Sequence, residues 1–398
     1  MTRPLSVVFD LFGVLVQEGM SVSSTLWGMV REHVGYEPMW STYMRLALGQ
    51  ASNQEFWTLV APPGGDWRAM QDRFFRALTP EPGLPEVIAG FRELGARLAI
   101  FSEVPDEWLG PILARLGVEG RFDALVTSGR ARATKPDAAM FELLMSELGP
   151  PADGERRFYV DDRLTNLEAG ERWGLTSIWM RRGASPVIDF RPRHVVTSVR
   201  DALEIVRAGG SGPGSFSVAR ATVLDELNRA MREVDEAAAM RMVEMLLAAP
   251  RVFVYGRGRT GLATWAFASR LAQLGLQVHV VGEMTAPAIG AGDVLVAASG
   301  TGTTRTTLLA SEEAKRIGAA VVALTTHPDS PLGRSADLVV RVEGATRRRA
   351  EGEEKSAQYG GSLFEQALLL TLDAVAMVLK SRLARSDQEM DSRHANLE

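Results

Sequence analysis

The stretch Arg207-Ala-Gly-Gly-Ser-Gly-Pro-Gly-Ser215 holds no side chain able to pack into a core, and it lies near the middle of 398 residues. A chain of this length exceeds one ordinary core, so the stretch reads as a flexible linker between two domains, residues 1–206 and 216–398. Ahead of it, short apolar runs (Leu5 to Phe9, Arg97 to Phe101, Ala124 to Thr127, Arg157 to Val160, Thr176 to Met180) alternate with helical patterns. Behind it the same alternation returns, with runs at Val252 to Tyr255, Gln277 to Val281, Val294 to Ala298, Ala320 to Thr325 and Leu338 to Val342. Near-continuous Val, Ile, Leu and Ala suits strands covered on both faces. The expected class is therefore α/β, with two doubly wound parallel sheets.

Between the first run and Pro85 lies a Trp- and Met-rich stretch of helical spacing, including Ser23 to His33 and Gln54 to Val60, which predicts a helical cap at about residues 16–85. The second half is expected to open with one helix from Val218 to Ala249. It should close with another from Ser362 to Leu383, followed by a charged tail.

The composition is 46% hydrophobic and 23% charged, with no apolar run read as a membrane span. Leu5 begins a strand almost at once, without the stages of a signal peptide, and a cytoplasmic location is expected. The absence of cysteine excludes disulfides, thiolate metal sites and cysteine nucleophiles. A net charge of -5 gives no global attraction to nucleic acid, and Arg347-Arg-Arg349 with Glu351, Glu353 and Glu354 reads as a solvated loop.

Asp10 follows the first strand directly, at the edge where open parallel sheets bind ligands. Ser102 ends the second run, Lys135 sits in Thr134-Lys-Pro-Asp137, and Phe158-Tyr-Val-Asp-Asp162 ends another strand in a carboxylate pair. In this order, with a helical cap after the first motif, residues 1–206 resemble the haloacid dehalogenase superfamily, a Rossmannoid fold. The resemblance implies that Asp10 attacks the substrate, Ser102 binds a phosphoryl oxygen and Lys135 steadies the charge of Asp10. It further implies that Asp10 and Asp162 hold Mg²⁺, with Asp161 beside them. Phosphatases of that superfamily carry a second Asp two positions after the nucleophile, and this chain has Phe12. Three readings stay open: a slow or specialised hydrolase, a binding domain without catalysis, and a dehalogenase, whose halide leaves without a proton.

Val294-Leu-Val-Ala-Ala-Ser-Gly-Thr-Gly-Thr-Thr304 reads as a strand entering a hydroxyl- and glycine-rich turn before a helix from about Thr306. Backbone N–H groups, the hydroxyls of Ser299, Thr301, Thr303 and Thr304, and a helix N-terminus together make a phosphate cradle. The ending of a nucleotide P-loop is absent, so a phosphomonoester fits better. A second glycine turn holds Gly256, Arg257, Gly258, Arg259, Thr260 and Gly261, of which Gly256, Arg259 and Thr260 are expected at the sugar phosphate.

With Val281-Gly-Glu-Met-Thr-Ala-Pro-Ala-Ile289, Thr325-Thr-His-Pro-Asp-Ser-Pro331, Gly361-Ser-Leu-Phe-Glu-Gln366 and Arg393-His-Ala-Asn-Leu-Glu398, this half resembles the 6-phospho-3-hexuloisomerase family of sugar isomerase (SIS) domains. The family typically has Glu at Thr303 and Ser at Thr260. The resemblance implies interconversion of D-arabino-hex-3-ulose 6-phosphate and D-fructose 6-phosphate without a cofactor, as the partner of formaldehyde fixation. Carbonyl migration through an enediol needs a base, for which Glu365 is the candidate, and His394 is the candidate acid or proton shuttle. Glu283 and His327 are further candidates. A catalytic tail implies a site shared between protomers of a dimer or tetramer. Rival readings are a sugar-phosphate sensor without turnover, a sugar phosphatase using Asp10, and a different aldose-ketose isomerase.

Overall fold

The computed structural model describes residues 4–17, 22–183, 190–210, 215–344 and 356–396. The chain forms two compact units, Met1–Thr222 and Val223–Glu398.

In the first unit the strands are β1 (Leu5–Phe9), β2 (Arg97–Ser102), β3 (Ala124–Thr127), β4 (Arg156–Asp161), β5 (Thr176–Met180) and β6 (His194–Val196). They pair in parallel in the order β3-β2-β1-β4-β5-β6. The sequence pattern does not reveal β6, which has only three residues and opens on a half-buried histidine. After β1 come α1 (Val22–Val30), α2 (Tyr36–Ala47), α3 (Asn53–Val60) and α4 (Trp67–Ala77). Then α5 (Leu84–Glu93) leads into β2, and α6 (Asp106–Arg115), α7 (Ser128–Ala131), α8 (Ala138–Leu148), α9 (Leu164–Arg172) and α10 (Val199–Arg207) follow in turn.

The first four helices form the cap, and side-chain oxygens start two of them. Ser52 accepts from Glu55 N ahead of α3, and Asp66 accepts from Arg68 N ahead of α4. Tyr43, Phe56, Trp57 and Phe74 of the cap bury their rings around Trp108 of α6. The Trp57 and Trp108 rings stack at 5.2 Å, and Asn53 Oδ1 accepts from Trp108 Nε1 at 2.7 Å.

In the second unit α11 (Phe216–Arg232) and α12 (Glu236–Ala248) precede β7 (Val252–Tyr255), α13 (Gly258–Gln273), β8 (Val278–Val280), β9 (Val294–Ala298) and α14 (Arg305–Ile317). Next come β10 (Ala320–Thr325), α15 (Pro331–Ser335), β11 (Leu338–Arg341), α16 (Ser362–Arg382) and α17 (Asp387–Asp391). The sheet is parallel throughout, in the order β11-β10-β9-β7-β8.

Besides β6, three points differ from the sequence reading. The helix expected over Val218 to Ala249 is two helices, because Asp235 accepts from Ala238 N and caps a new start. The division between units falls inside α11 instead of in the linker, since Val218 and Ala221 are buried in first-unit clusters and Ser217 Oγ donates to Asp201. Finally, α16 is long and apolar enough to cross a membrane. Half of it is buried in its own unit, where it packs on α12 and α13, so a core helix accounts for its composition.

Each sheet reverses direction once. In the first unit β2 lies on one side of β1 and β4 on the other, and in the second β8 and β9 flank β7 in the same way. The crevices at the carboxyl ends of β1/β4 and β7/β9 are the ligand-binding switch points of doubly wound sheets.

Candidate functional sites

Asp10 extends the β1–β4 ladder by one hydrogen bond, its N–H donating to Val160 O at 2.9 Å. That places its buried carboxylate beside Asp161 and Asp162 at the end of β4. Lys135 reaches in from the other side, with Nζ 3.0 Å from Asp10 Oδ1 and 2.7 Å from Asp161 Oδ2. Nζ also donates to Phe101 O at 3.1 Å, and the side chain is fully buried.

Asp161 is saturated. Tyr159 OH donates to its Oδ2, Arg163 N to Oδ1 at 2.8 Å, and Asn166 Nδ2 reaches both oxygens at 3.2 Å. Asp161 therefore orients Lys135, while Asp10 and Asp162 keep coordination capacity. Asp162 packs against Gly13, whose φ is +83° and where an added Cβ would lie 2.6 Å from Asp162 Cγ. Position 13 thus demands glycine for both its dihedral and its space.

Burial pushes the Asp10 carboxyl up to about 6, with Lys135 opposing, and pushes Asp162 up to about 7, aided by Asp161 and Asp10. Lys135 is raised by Asp10 and Asp161 against its burial. Oxygens of Asp10, Asp161 and Asp162 lie within 4.8 Å of one another, three carboxylates facing one ammonium. This hard-oxygen set with excess negative charge has the donor chemistry that suits a divalent cation such as Mg²⁺. Ser102 is buried at the end of β2, and Phe12 packs partly buried on the core. Sequence reasoning missed Tyr159 and Arg163; the signal was their place within and just after the strand ending in the carboxylate pair.

In the second unit the turn after β9 is braced from β10. Ser299 N donates to Leu324 O at 3.0 Å, Thr326 N to Gly300 O at 3.1 Å and Thr325 Oγ1 to Gly300 O at 3.1 Å. Ser299 and Thr304 hydroxyls pair at 2.9 Å, and those of Thr301 and Thr303 at 2.8 Å. Thr304 is the N-cap residue of α14. The turn after β7 is equally tight, for a Cβ on Gly256 would meet Gly261 Cα at 3.1 Å and one on Gly261 would meet Gly256 O at 2.8 Å. The turn after β7 therefore needs bare backbone at Gly256 and Gly261.

Glu365 lies in the first turn of α16, and its Oε2 accepts from Arg259 Nε in the first turn of α13, 106 residues away. Glu365 is largely shielded and Arg259 exposed. Among the described residues Glu365 Oε1 accepts no hydrogen bond. Half-buried Thr260 follows Arg259, and exposed Arg257 is the N-cap of α13. His327 stands at the end of β10, with its N–H donating to Thr325 Oγ1 at 3.2 Å.

His394 is exposed at the other end of the helices. Arg385 Nε donates to Leu274 O at 3.2 Å and Arg393 Nη1 to Gln273 O at 3.4 Å, which docks the tail on the carbonyl end of α13. There His394 lines a cavity of about 400 Å³ with Arg270, Asp373 and Lys380. Arg259 and Gln273 are separated by about 20 Å of helix at 1.5 Å per residue. One chain therefore does not bring His394 to Glu365. Glu283 is exposed after β8, beside a separate cavity of about 310 Å³ over Phe253 and Leu295. Arg347 to Arg349, Glu351, Glu353 and Glu354 lie outside the described residues.

Residues 6–174 match the family model of haloacid dehalogenase-like hydrolases, and residues 245–348 that of the SIS domain. A Bacillus subtilis (strain 168) protein named 3-hexulose-6-phosphate isomerase is 36% identical over 178 residues, 45% of this chain and 96% of its own length. A Mycobacterium gastri protein of the same name is 43% identical over 176 residues, 44% of this chain and 88% of its own. An N-acetylmuramic acid 6-phosphate phosphatase of Pseudomonas aeruginosa is 30% identical over 104 residues, 26% of this chain and 45% of its own. Through its second unit the chain belongs to the SIS-domain family of these hexulose phosphate isomerases, and it carries a haloacid dehalogenase-like hydrolase domain ahead of it.

Proposed function

We propose that the second unit interconverts D-arabino-hex-3-ulose 6-phosphate and D-fructose 6-phosphate through an enediol. The observation that carries this reading is the Arg259–Glu365 pair at the carboxyl edge of the sheet, with a carboxylate oxygen left free. The Ser299–Thr304 turn holds the phosphate with backbone N–H groups, hydroxyls and the start of α14. Glu365 Oε1 takes the proton from the carbon next to the carbonyl and returns it to the neighbouring carbon. The Arg259 guanidinium stabilises the oxyanion formed in between.

The remaining proton must move between the two substrate oxygens, and His394 of a second copy supplies the group. Pairing α13 and α16 with their equivalents about a two-fold axis sets the amino end of one copy against the carboxyl end of the other. Exposed Leu262, Trp265, Leu370 and Met377 offer apolar surface for that pairing. Incubation of the chain with fructose 6-phosphate, followed by NMR for the 3-ulose, tests the reading. Turnover lost in Glu365→Gln supports it, and full turnover in that variant refutes the assignment of the base.

For the first unit we propose a Mg²⁺-assisted phosphoryl-transfer site in which Asp10 is the nucleophile. Lys135, bridging Asp10 and Asp161, supports it by aiming and charging the attacking carboxylate. Bound Mg²⁺ would screen the charge of the incoming phosphate.

A further inference from the structure

The groups around Asp10 serve the two halves of a phosphoryl-transfer cycle unequally. Attack is provided for: Asp10 Oδ1 lies 3.0 Å from Lys135 Nζ, and Ser102 and Asp162 stand at adjoining strand ends. Release needs a group that gives a proton to the departing oxygen and later takes one from water. Position 12 offers only the hydrocarbon of Phe12. Asp161 accepts four donors, and Tyr159 OH is one of them. Lys135 is locked between two carboxylates. Tyr43 OH donates to Glu103 O at 2.9 Å, and the Glu103 carboxylate is paired with Arg163 at 3.2 Å. Asp162 packs on Gly13 and faces the cation position. Among the described residues, Asp161, Tyr159, Lys135, Tyr43 and Glu103 are committed to partners, and Asp162 is the carboxylate left for the cation.

We propose that Asp10 accepts a phosphoryl group from an acyl phosphate and retains it, so that the first unit is a phosphorylatable switch and not a turnover phosphatase for alkyl phosphates. The proposal rests on the reading of Asp10 as a phosphoryl acceptor. An Asp10 carboxylate oxygen bonds to phosphorus while the bond from phosphorus to the acyl oxygen breaks. The acyl group leaves with that electron pair as a carboxylate, which needs no proton at neutral pH. The alkoxide of a sugar phosphate needs one, and nothing here is placed to give it. Discharge requires water to attack the same phosphorus, breaking its bond to Asp10 and losing a proton to a base. With no such base in place, the mixed anhydride on Asp10 outlives the reaction that formed it.

The test uses the full chain with Mg²⁺ and acetyl phosphate, read by intact-protein mass, by mapping of the modified peptide and by free phosphate. The expected result is close to one phosphoryl group per chain on Asp10, no label in Asp10→Asn, and neither label nor phosphate release from fructose 6-phosphate. Phe12→Asp should shorten the lifetime of the label at least about tenfold, by restoring acid-base help worth about 10²–10⁴ in rate. If that variant does not fold, the wild-type lifetime decides alone. Many turnovers of phosphate release without label, abolished in Asp10→Asn, would overturn retention while leaving Asp10 as acceptor. Neither label nor release from folded protein would overturn both readings, and rapid phosphate release from fructose 6-phosphate would overturn the restriction to acyl donors.

Discussion

A Cβ added to Gly302 would stand 2.5 Å from the Cβ of Ser330 and overlap its hydroxyl. Gly302 also has φ +60°, and its carbonyl accepts from Leu332 N at 3.1 Å, so the turn after β9 is pressed against the start of α15. Gly302→Ala should cost about 1–3 kcal/mol in strain and weaken fructose 6-phosphate binding at least about tenfold by spreading the turn. Calorimetric binding and urea unfolding measure the two effects. Gly302→Ala combined with Ser330→Gly should recover part of both, because it removes the overlap, while the dihedral penalty stays and α15 loses the Ser330 cap on Gly333 N.

Lys135→Met leaves Asp10 and Asp161 buried without their cation. A broken buried ion pair costs about 3–5 kcal/mol, so the first unit's calorimetric transition should move down. Adding Asp161→Asn to Lys135→Met should raise it again, since an amide needs no counter-charge. A further fall in the double variant would show that Asp161 is not what Lys135 neutralises.

Glu365→Gln and His394→Ala should each lower isomerisation by about 10²–10⁴. If the site is shared, mixing and reassociating the two variants regenerates one intact site in each mixed pair, about a quarter of wild-type turnover by random pairing of a two-fold dimer. No recovery from a reassociated mixture would remove His394 from the chemistry of its neighbour.

His194 opens β6, and burial, with Arg193 adding, pushes its imidazole down to about 4 from an ordinary 6.5. The folded state therefore holds it neutral where the unfolded chain protonates. Its contribution is complete above pH 6.5 and is lost as pH falls toward about 4, at most about 3 kcal/mol. His194→Gln should flatten that part of the acid limb in urea unfolding, and an unchanged pH slope would exclude His194 as its source.

Strand ends were the legible part of the sequence. Asp10 and Ser299 each directly follow a largely apolar run, and β1, β3, β5, β7, β9 and β10 fall on the runs that announce them. The helix break at Asp235 was less visible, because apolar spacing continues through it and only the capping oxygen marks a new start. Pairings across the fold were not legible at all. Arg259 and Glu365 could each be singled out, yet nothing in either segment says that residues 106 apart share a hydrogen bond. Likewise Asp161 and Asp162 read as equals in a row, and only Tyr159, Arg163 and Asn166, crowding Asp161, leave Asp162 as the carboxylate with capacity to spare. The tail carried a motif but no direction, which Arg385 and Arg393 set by gripping the last carbonyls of α13.

The stacked indoles of Trp57 and Trp108 join the cap to the helix after β2. Two such chromophores at 5.2 Å couple their transitions, and separating them uncouples the pair. Of eight tryptophans only Trp265 belongs to the second unit, so the couplet of this pair in the far-ultraviolet circular dichroism reports the separation of the two indoles without an attached dye.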